Sequence, residues 1–227
     1  MHILKTMMRA IYALVLLGAT AAAAESTPRI LTMGDSLMAT HRADRQSVSD
    51  AIARTIGVPV TNRSVSGARM IYNLPISGSL GMRISKQFRA GDWDWVVLNG
   101  GGNDLMFGCG CHRCDRRLSR LIDARGQLGE IPNLVQRLRK TGAQVIYVGY
   151  LRSPGFGSPI ESCLNEGQEL ERRINQMAAQ DSGVHFVSLA DLVPAGDTSF
   201  HEPDRVHPSP KGSRAIGERI ARVILRK

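Results

Sequence analysis

The strongest constraint on the fold is an alternation of short apolar segments, rich in β-branched residues, with longer segments of helical character. The apolar segments predict five strands, at residues 30–33, 58–65, 95–98, 145–150 and 184–189. The segments between them predict helices at residues 48–56, 84–88, 118–138 with a break near 126–132, 168–179 and 210–225. Such alternation is typical of a parallel sheet with helices on both faces. We therefore expect an α/β fold, a single-domain three-layer α/β/α sandwich around a five-stranded, mainly parallel sheet.

The N-terminus has the three-part form of a secretory signal. Lys5 and Arg9 precede an apolar stretch at residues 11–17, and Ala22–Ala24 offers small residues for cleavage. The apolar stretch is shorter than the ~20 residues that span a bilayer, so we expect no stable membrane anchor. We predict a signal peptide at residues 1–24 and one soluble domain at residues 25–227, exported to the periplasm or secreted, and monomeric.

The chain is basic. Removal of the leader takes Lys5 and Arg9 with it and lowers the formal net charge from +9 to +7. Such a surface could attract nucleic acid, anionic lipid headgroups or acidic glycans. No basic stripe interleaved with aromatic residues accompanies the charge, so a solvated basic exterior is the favoured interpretation and no nucleic-acid partner is expected.

Residues from the two ends of the chain predict a nucleophile with its base and acid. Ser36 follows the first predicted strand, and Asp204 and His207 lie three residues apart near the C-terminus. A serine hydroxyl is a weak nucleophile, so it needs an imidazole to accept its proton and a carboxylate to hold that imidazole in the right tautomer. On a tight turn Asp204 can reach Nδ1 of His207 while Nε2 faces the serine. His201 is a rival base, but it lacks the proline that follows His207.

Two further segments carry groups suited to an oxyanion. Gly67 ends the sequence Ser-Val-Ser-Gly, and Asn103 follows three glycines. A glycine lets its backbone N–H approach a substrate oxygen closely, and the Asn103 amide is an uncharged donor. With the Ser36 N–H, these groups make three donors.

In this order, Ser36, Gly67, Asn103 and His207 match one by one the four blocks of a known family. The chain resembles the SGNH hydrolases, also called GDSL esterases and lipases, over residues 29–226. The resemblance implies a flavodoxin-like sheet, Asp204 as the triad acid, and an ester substrate. Taken singly, each residue has an ordinary alternative, as a helix cap, a turn glycine or a surface histidine. No Gly-x-Ser-x-Gly sequence is present, which argues against the α/β-hydrolase version of the triad.

No cofactor is expected. The glycine run at residues 100–102 is not a dinucleotide loop, because Leu105 stands where the third glycine would fall. The spare carboxylates Asp35 and Asp104 are assigned local hydrogen-bonding roles.

Four cysteines, Cys109, Cys111, Cys114 and Cys163, predict two disulfides in an exported protein. A zinc site that includes His112 is the disfavoured alternative, because ligands this close in sequence rarely form a tetrahedron alone. A bond between Cys109 and Cys111 would strain a one-residue loop. Of the two remaining pairings we prefer Cys111–Cys114 with Cys109–Cys163, and the other stays open. If the third and fourth strands are neighbours, as the resemblance implies, the bond to Cys163 would join two loops beside the site.

The function expected from these residues is an exported serine hydrolase that cleaves carboxylic esters, acyl or acetyl, through an acyl-enzyme on Ser36. Its substrate is a small-molecule, lipid or glycan ester. Two alternatives remain open: an acyltransferase that uses a sugar hydroxyl in place of water, and a catalytically silent carbohydrate-binding module on the same scaffold.

Overall fold

A computed structural model of the chain describes residues 27–154 and 157–226. The predicted signal peptide lies outside the described residues. Five parallel strands form one sheet in the order β2-β1-β3-β4-β5. The strands are β1 (Ile30–Met33), β2 (Val60–Asn62), β3 (Trp95–Leu98), β4 (Gln144–Val148) and β5 (Val184–Val187). The predicted α/β fold with a five-stranded parallel sheet is therefore confirmed.

The helices alternate with the strands along the chain. They are α1 (Ser36–Ala39), α2 (Val48–Ile56), α3 (Pro75–Ser77), α4 (Gly102–Cys109), α5 (Asp115–Leu121), α6 (Glu130–Arg139), α7 (Leu164–Ala178) and α8 (Pro210–Ile224). Short helical turns are added at Gly78–Met82, Ile84–Lys86, Glu161–Cys163 and Thr198–Phe200. The helix predicted at residues 118–138 is divided into α5 and α6, as its glycines indicated.

Two apolar layers cover the sheet. Side chains from α2 and α8, among them Ile52 and Ile220, pack on Ile30, Val97 and Ile146 on one face. Side chains from α4 to α7 pack on the other face. The contact between α2 and α8 is close, because a Cβ added at Gly217 would lie 2.4 Å from the Cβ of Ala51. The burial of both faces explains why β3 is apolar throughout and why β1 and β4 are apolar except at Thr32 and Gln144.

Local signals set the ends of the best-predicted helices. Ser47 and Asp50 form a capping box at the start of α2, and Gly57 ends it in the left-handed conformation. Ser209 caps α8 through a hydrogen bond from the Gly212 amide. Ser209 therefore fixes the residue at which α8 begins, two positions after His207.

Candidate active site

Ser36 lies on a tight turn at the carboxyl end of β1. It is the first residue of α1, half-buried, and Asp35 caps that helix by accepting a hydrogen bond from the Leu37 amide at 3.0 Å. Gly34 has a φ of +144°, and a Cβ there would lie 1.9 Å from Oδ1 of Asn99. Only glycine fits this position, and the turn leaves the serine at the edge of the sheet where open α/β folds bind ligands.

The Asp35 carboxylate is buried and bonded to groups from two other strand ends. The Tyr150 hydroxyl donates to its Oδ2 at 2.5 Å, and the Asn99 amide donates to its Oδ1 at 2.8 Å. The same hydroxyl accepts the Gly102 N–H at 3.0 Å. Burial raises the pKa of Asp35 despite these hydrogen bonds, and burial also raises the pKa of Tyr150, which keeps its O–H as a donor. The ends of β1, β3 and β4 are thus joined around Ser36.

His207 and Asp204 meet on a loop before α8. Asp204 Oδ2 lies 2.5 Å from Nδ1 of His207, and Asp204 Oδ1 accepts the amides of Val206 and His207 at 2.9 and 3.0 Å. Burial raises the pKa of the Asp204 carboxyl, but the hydrogen bonds from His207 and the two amides outweigh it and lower the pKa to about 2. The carboxylate is therefore charged at neutral pH. It faces Nδ1 of His207, the nitrogen through which an acid would fix the tautomer of this ring.

His41 ties this loop to the connection after α1. Its Nε2 lies 2.9 Å from Oε1 of Glu202 and 3.2 Å from the carbonyl oxygen of Pro208. The Glu202 amide in turn donates to the carbonyl of His207 at 2.8 Å. Sequence reasoning missed both His41 and Glu202, because no spacing pattern relates residues so far apart.

Asn103 lies in the first turn of α4, and its side-chain amide donates to the carbonyl of Ala68 at 3.1 Å. This bond orients the amide and uses one of its two N–H groups, which leaves the other for an oxyanion. Gly67, next to Ala68, is half-buried with a φ of +76°. The Asn103 side chain therefore connects the two segments that were predicted to supply donors.

Asp104 fixes the loop that follows Gly67. Its carboxylate accepts the amides of Met70 and Ile71 at 2.8 and 2.9 Å. Burial raises its pKa to about 6, against the opposing effect of these bonds. The local hydrogen-bonding role predicted for Asp104 is thus a link between α4 and the loop after β2.

A cavity of about 480 Å³ opens at this edge of the sheet. Ser36, Asn103 and His207 line it, whereas Asp204 and Gly67 are not among its lining residues. Asp204 contacts the cavity only through His207, and Gly67 is linked to it through the bond between Asn103 and Ala68. Most of the remaining wall is apolar and includes Leu105, Met106, Leu151, Ile160, Leu164, Leu170 and Val206.

The rival base has different surroundings. His201 is buried, and in the part of the chain that the structure describes neither of its ring nitrogens has a hydrogen-bond partner. Burial lowers its pKa. It does not line the cavity, so the structure favours His207 over His201 as the histidine beside Ser36.

All four cysteines form disulfides, which confirms the prediction of two bonds. The preferred pairing was wrong: Cys109 bonds to Cys114, and Cys111 bonds to Cys163. Left-handed residues at Gly110, Cys111 and Arg113 curl the chain back, so the Cα atoms of Cys109 and Cys114 lie 5.5 Å apart. Cys163 lines the cavity, and its bond joins the loop after β3 to the loop after β4.

The fold recurs in solved structures of low sequence identity. A protein from Lactobacillus plantarum is 21% identical, with a TM-score of 0.62 over 88% of this chain and 98% of that one. A Slackia heliotrinireducens protein provisionally classed as an SGNH hydrolase is also 21% identical, with a TM-score of 0.61 over 87% and 99% of the two chains. An active-site mutant of a family two carbohydrate esterase from Clostridium thermocellum is 18% identical, with a TM-score of 0.57 over 88% and 64%. No curated protein matches the chain.

A family model decides the relationship. The model of the GDSL-like lipase/acylhydrolase family matches residues 32–215, which is more than half of the chain and includes Ser36, Gly67, Asn103 and His207. The resemblance inferred from the four blocks is therefore confirmed, and the chain belongs to the GDSL-like lipase/acylhydrolase family.

Proposed function

We propose that this protein is an exported carboxylic-ester hydrolase that works through an acyl-enzyme on Ser36. The observation that carries the proposal is that Ser36 and His207 line one largely apolar cavity, while Oδ2 of Asp204 lies 2.5 Å from Nδ1 of His207. Family membership supports the same class of reaction.

The proposed steps follow from the chemistry of these groups. Ser36 Oγ attacks the ester carbonyl carbon as His207 Nε2 takes its proton, and Asp204 stabilises the imidazolium. The oxyanion accepts hydrogen bonds from the Ser36 amide, the Gly67 amide and the Asn103 side chain. His207 then protonates the leaving alcohol, which departs as the acyl-enzyme forms. Water, deprotonated by His207, attacks the acyl-enzyme and releases the acid and free Ser36.

The cavity supports an acyl group larger than acetyl. Its volume of about 480 Å³ lies within the usual range for small-molecule sites, and its wall is largely aliphatic. Each methylene buried there contributes roughly 0.8 kcal/mol, which favours longer acyl chains until the cavity is filled.

Export is supported by the cysteines. Disulfides persist in oxidising compartments such as the periplasm and the extracellular medium, and two form here. Among the described residues, no helix combines the length and the apolar composition needed to cross a bilayer.

The proposal is tested with p-nitrophenyl esters of increasing acyl length, beside an acetylated polysaccharide, because solved carbohydrate esterases share this fold. We expect kcat/KM to rise from acetyl to medium-chain esters, and Ser36→Ala to abolish turnover. A fluorophosphonate should add one covalent group to the peptide that contains Ser36. Turnover in Ser36→Ala equal to that of the wild type, or labelling elsewhere, would contradict the assignment.

Product analysis with a sugar present separates hydrolysis from acyl transfer. Free acid should dominate whether or not the sugar is added. An acylated sugar as the main product would replace the hydrolase with a transferase. No turnover and no labelling would favour the silent module.

A further inference from the structure

Exposed apolar side chains are concentrated on one segment after β2. Seven large apolar side chains are exposed in the part of the chain that the structure describes, and three of them, Leu74, Ile76 and Leu80, lie within residues 74–80. Ile76 and Leu80 are 78% and 77% exposed. Single exposed leucines are common on protein surfaces, but a concentration on one short segment points to a contact.

A second cavity, of about 310 Å³, lies beside Leu80. Its lining includes four cations, Arg42, Arg63, Lys86 and Arg89, and none of its ten lining residues is acidic. It shares no lining residue with the cavity at Ser36. The cavity is therefore a separate basic site.

Two of the four cations of this basic site are held by hydrogen bonds that do not neutralise their charge. Arg42 Nη1 donates to the carbonyl of Ser64 at 3.0 Å, and Arg63 Nε donates to the carbonyl of Gln87 at 2.8 Å. Each guanidinium has five N–H donors, so each keeps four. Within residues 27–154 and 157–226, no carboxylate forms an ion pair with any of the four cations. An anion bound here would relieve their mutual repulsion.

The floor of the basic site is rigid. Gln87 is buried, and its amide nitrogen donates to the carbonyls of Gly34 and Gly81 at 2.9 and 2.8 Å. Its amide oxygen accepts the Gly34 N–H at 2.7 Å. Gly34 is two residues before Ser36 in the sequence. A site built on fixed groups loses little entropy when a ligand binds.

We propose that the basic site binds the phosphate group of an anionic phospholipid, and that Ile76 and Leu80 contact the same membrane surface. Guanidinium groups match phosphate oxygens in geometry and charge. A free phosphate would occupy only the cavity, whereas a lipid surface occupies the cavity and covers the exposed Ile76 and Leu80 as well. Basic side chains beside exposed apolar ones are the pattern of proteins that bind reversibly to the surface of a membrane. The proposal does not depend on the ester-hydrolase assignment.

Flotation with vesicles of phosphatidylcholine, with and without phosphatidylglycerol, tests the proposal. We expect binding that requires phosphatidylglycerol and weakens as salt is added. Lys86→Gln with Arg89→Gln should weaken it by roughly 30-fold, because each cation near an anionic surface contributes about a factor of five. The matched control, Arg214→Gln with Arg222→Gln, removes the same charge from α8, outside the cavity, and should change binding by no more than about 2-fold.

Apolar contact is tested separately. Leu80→Ser should weaken vesicle binding by about 10-fold, whereas Leu128→Ser, at a leucine of similar exposure on the connection between α5 and α6, should not. The melting temperature of each variant shows that it is folded.

Three results would overturn the proposal. They are equal binding to vesicles without phosphatidylglycerol, equal loss in the α8 control, and binding of inorganic phosphate or a soluble acidic polysaccharide with no binding to vesicles. The last result would assign the basic site to a soluble anion.

Discussion

The two halves of the candidate site are held in different ways. The turn that carries Ser36 depends on side chains distant in sequence: Tyr150 and Asn99 reach Asp35 from 115 and 64 residues away. The loop that carries His207 depends mainly on its own residues, since Asp204 bonds to groups two and three positions along the chain. The position of the nucleophile is therefore set by the ends of several strands, whereas the pairing of the base with its acid is a property of one loop.

Among substitutions that leave Ser36 and His207 in place, the largest effect on activity is expected at Asp204. Asp204→Asn leaves the loop without a carboxylate to fix the tautomer of His207, so kcat should fall by roughly 10³–10⁴-fold. Stability should change little, because this side chain is half-exposed. Steady-state kinetics and a thermal melt measure the two quantities. Asp44→Asn, at an exposed acid outside the cavity at Ser36, is the control for charge. A kcat for Asp204→Asn within tenfold of the wild type would show that Asp204 is not the triad acid.

The two disulfides also differ in how far apart in sequence their cysteines lie, and we expect them to contribute differently to stability. Cys111 and Cys163 are 52 residues apart, and Cys109 and Cys114 only five. Loop-closure entropy predicts a loss in the free energy of unfolding of about 4 kcal/mol for Cys111→Ser with Cys163→Ser, and about 2 kcal/mol for Cys109→Ser with Cys114→Ser. Urea denaturation of both double variants checks the order. Equal losses would mean that native packing, and not chain entropy, sets the contribution of each bond.

Tyr150→Phe removes a single hydroxyl from the long-range contacts that hold the turn of Ser36. It removes the donor to the buried Asp35 and the acceptor for the Gly102 amide, so the free energy of unfolding should fall by roughly 2–3 kcal/mol. Tyr147→Phe is the matched control, since its buried hydroxyl makes one hydrogen bond, to the carbonyl of Gly100, and should cost about 1 kcal/mol. If the two variants lose the same stability, the hydroxyl of Tyr150 does not support the nucleophile turn.

The smallest effect concerns Asp104 and pH. Its pKa is about 6 in the folded protein against 3.8 for an ordinary aspartate, so the folded state binds the proton more tightly than the unfolded state does. Acidification from about pH 7 to about pH 4.5 should therefore stabilise the wild type, relative to Asp104→Asn, by about 2 kcal/mol. Urea melts across this range measure the difference, and curves that stay parallel would contradict the raised pKa.

Periodicity was sufficient to predict most of the elements. The predicted bounds of β1, β3 and α2 agree with the structure to the residue, because the buried apolar positions of these elements are visible in the sequence. The second strand was predicted at residues 58–65, but only Val60–Asn62 pairs with β1. Val58 and Val65 carry the apolar, β-branched composition beyond the paired residues on both sides, so composition alone overestimates the strand.

The short-range part of the site could be predicted, and the long-range part could not. The spacing of Asp204 and His207 is visible in the sequence because both lie on one turn. The bond from Tyr150 to Asp35 and the bond from His41 to Glu202 join elements whose distance only the folded sheet determines. The cysteine pairing failed for a related reason, since Cys111 and Arg113 adopt left-handed backbone conformations that their residue types do not signal.

Because α8 packs on α2, the candidate site can form only in a chain that includes α8. The candidate nucleophile follows the first strand, while the candidate base lies between the last strand and the last helix. Ile216 and Ile220 hold that helix against Val48 and Ile52, close to the turn that carries Ser36. A chain that is synthesised from its N-terminus thus acquires its candidate nucleophile early and its candidate base last. Any product that ends before α8 lacks the contact that brings the two together, so we expect such a product to be unreactive.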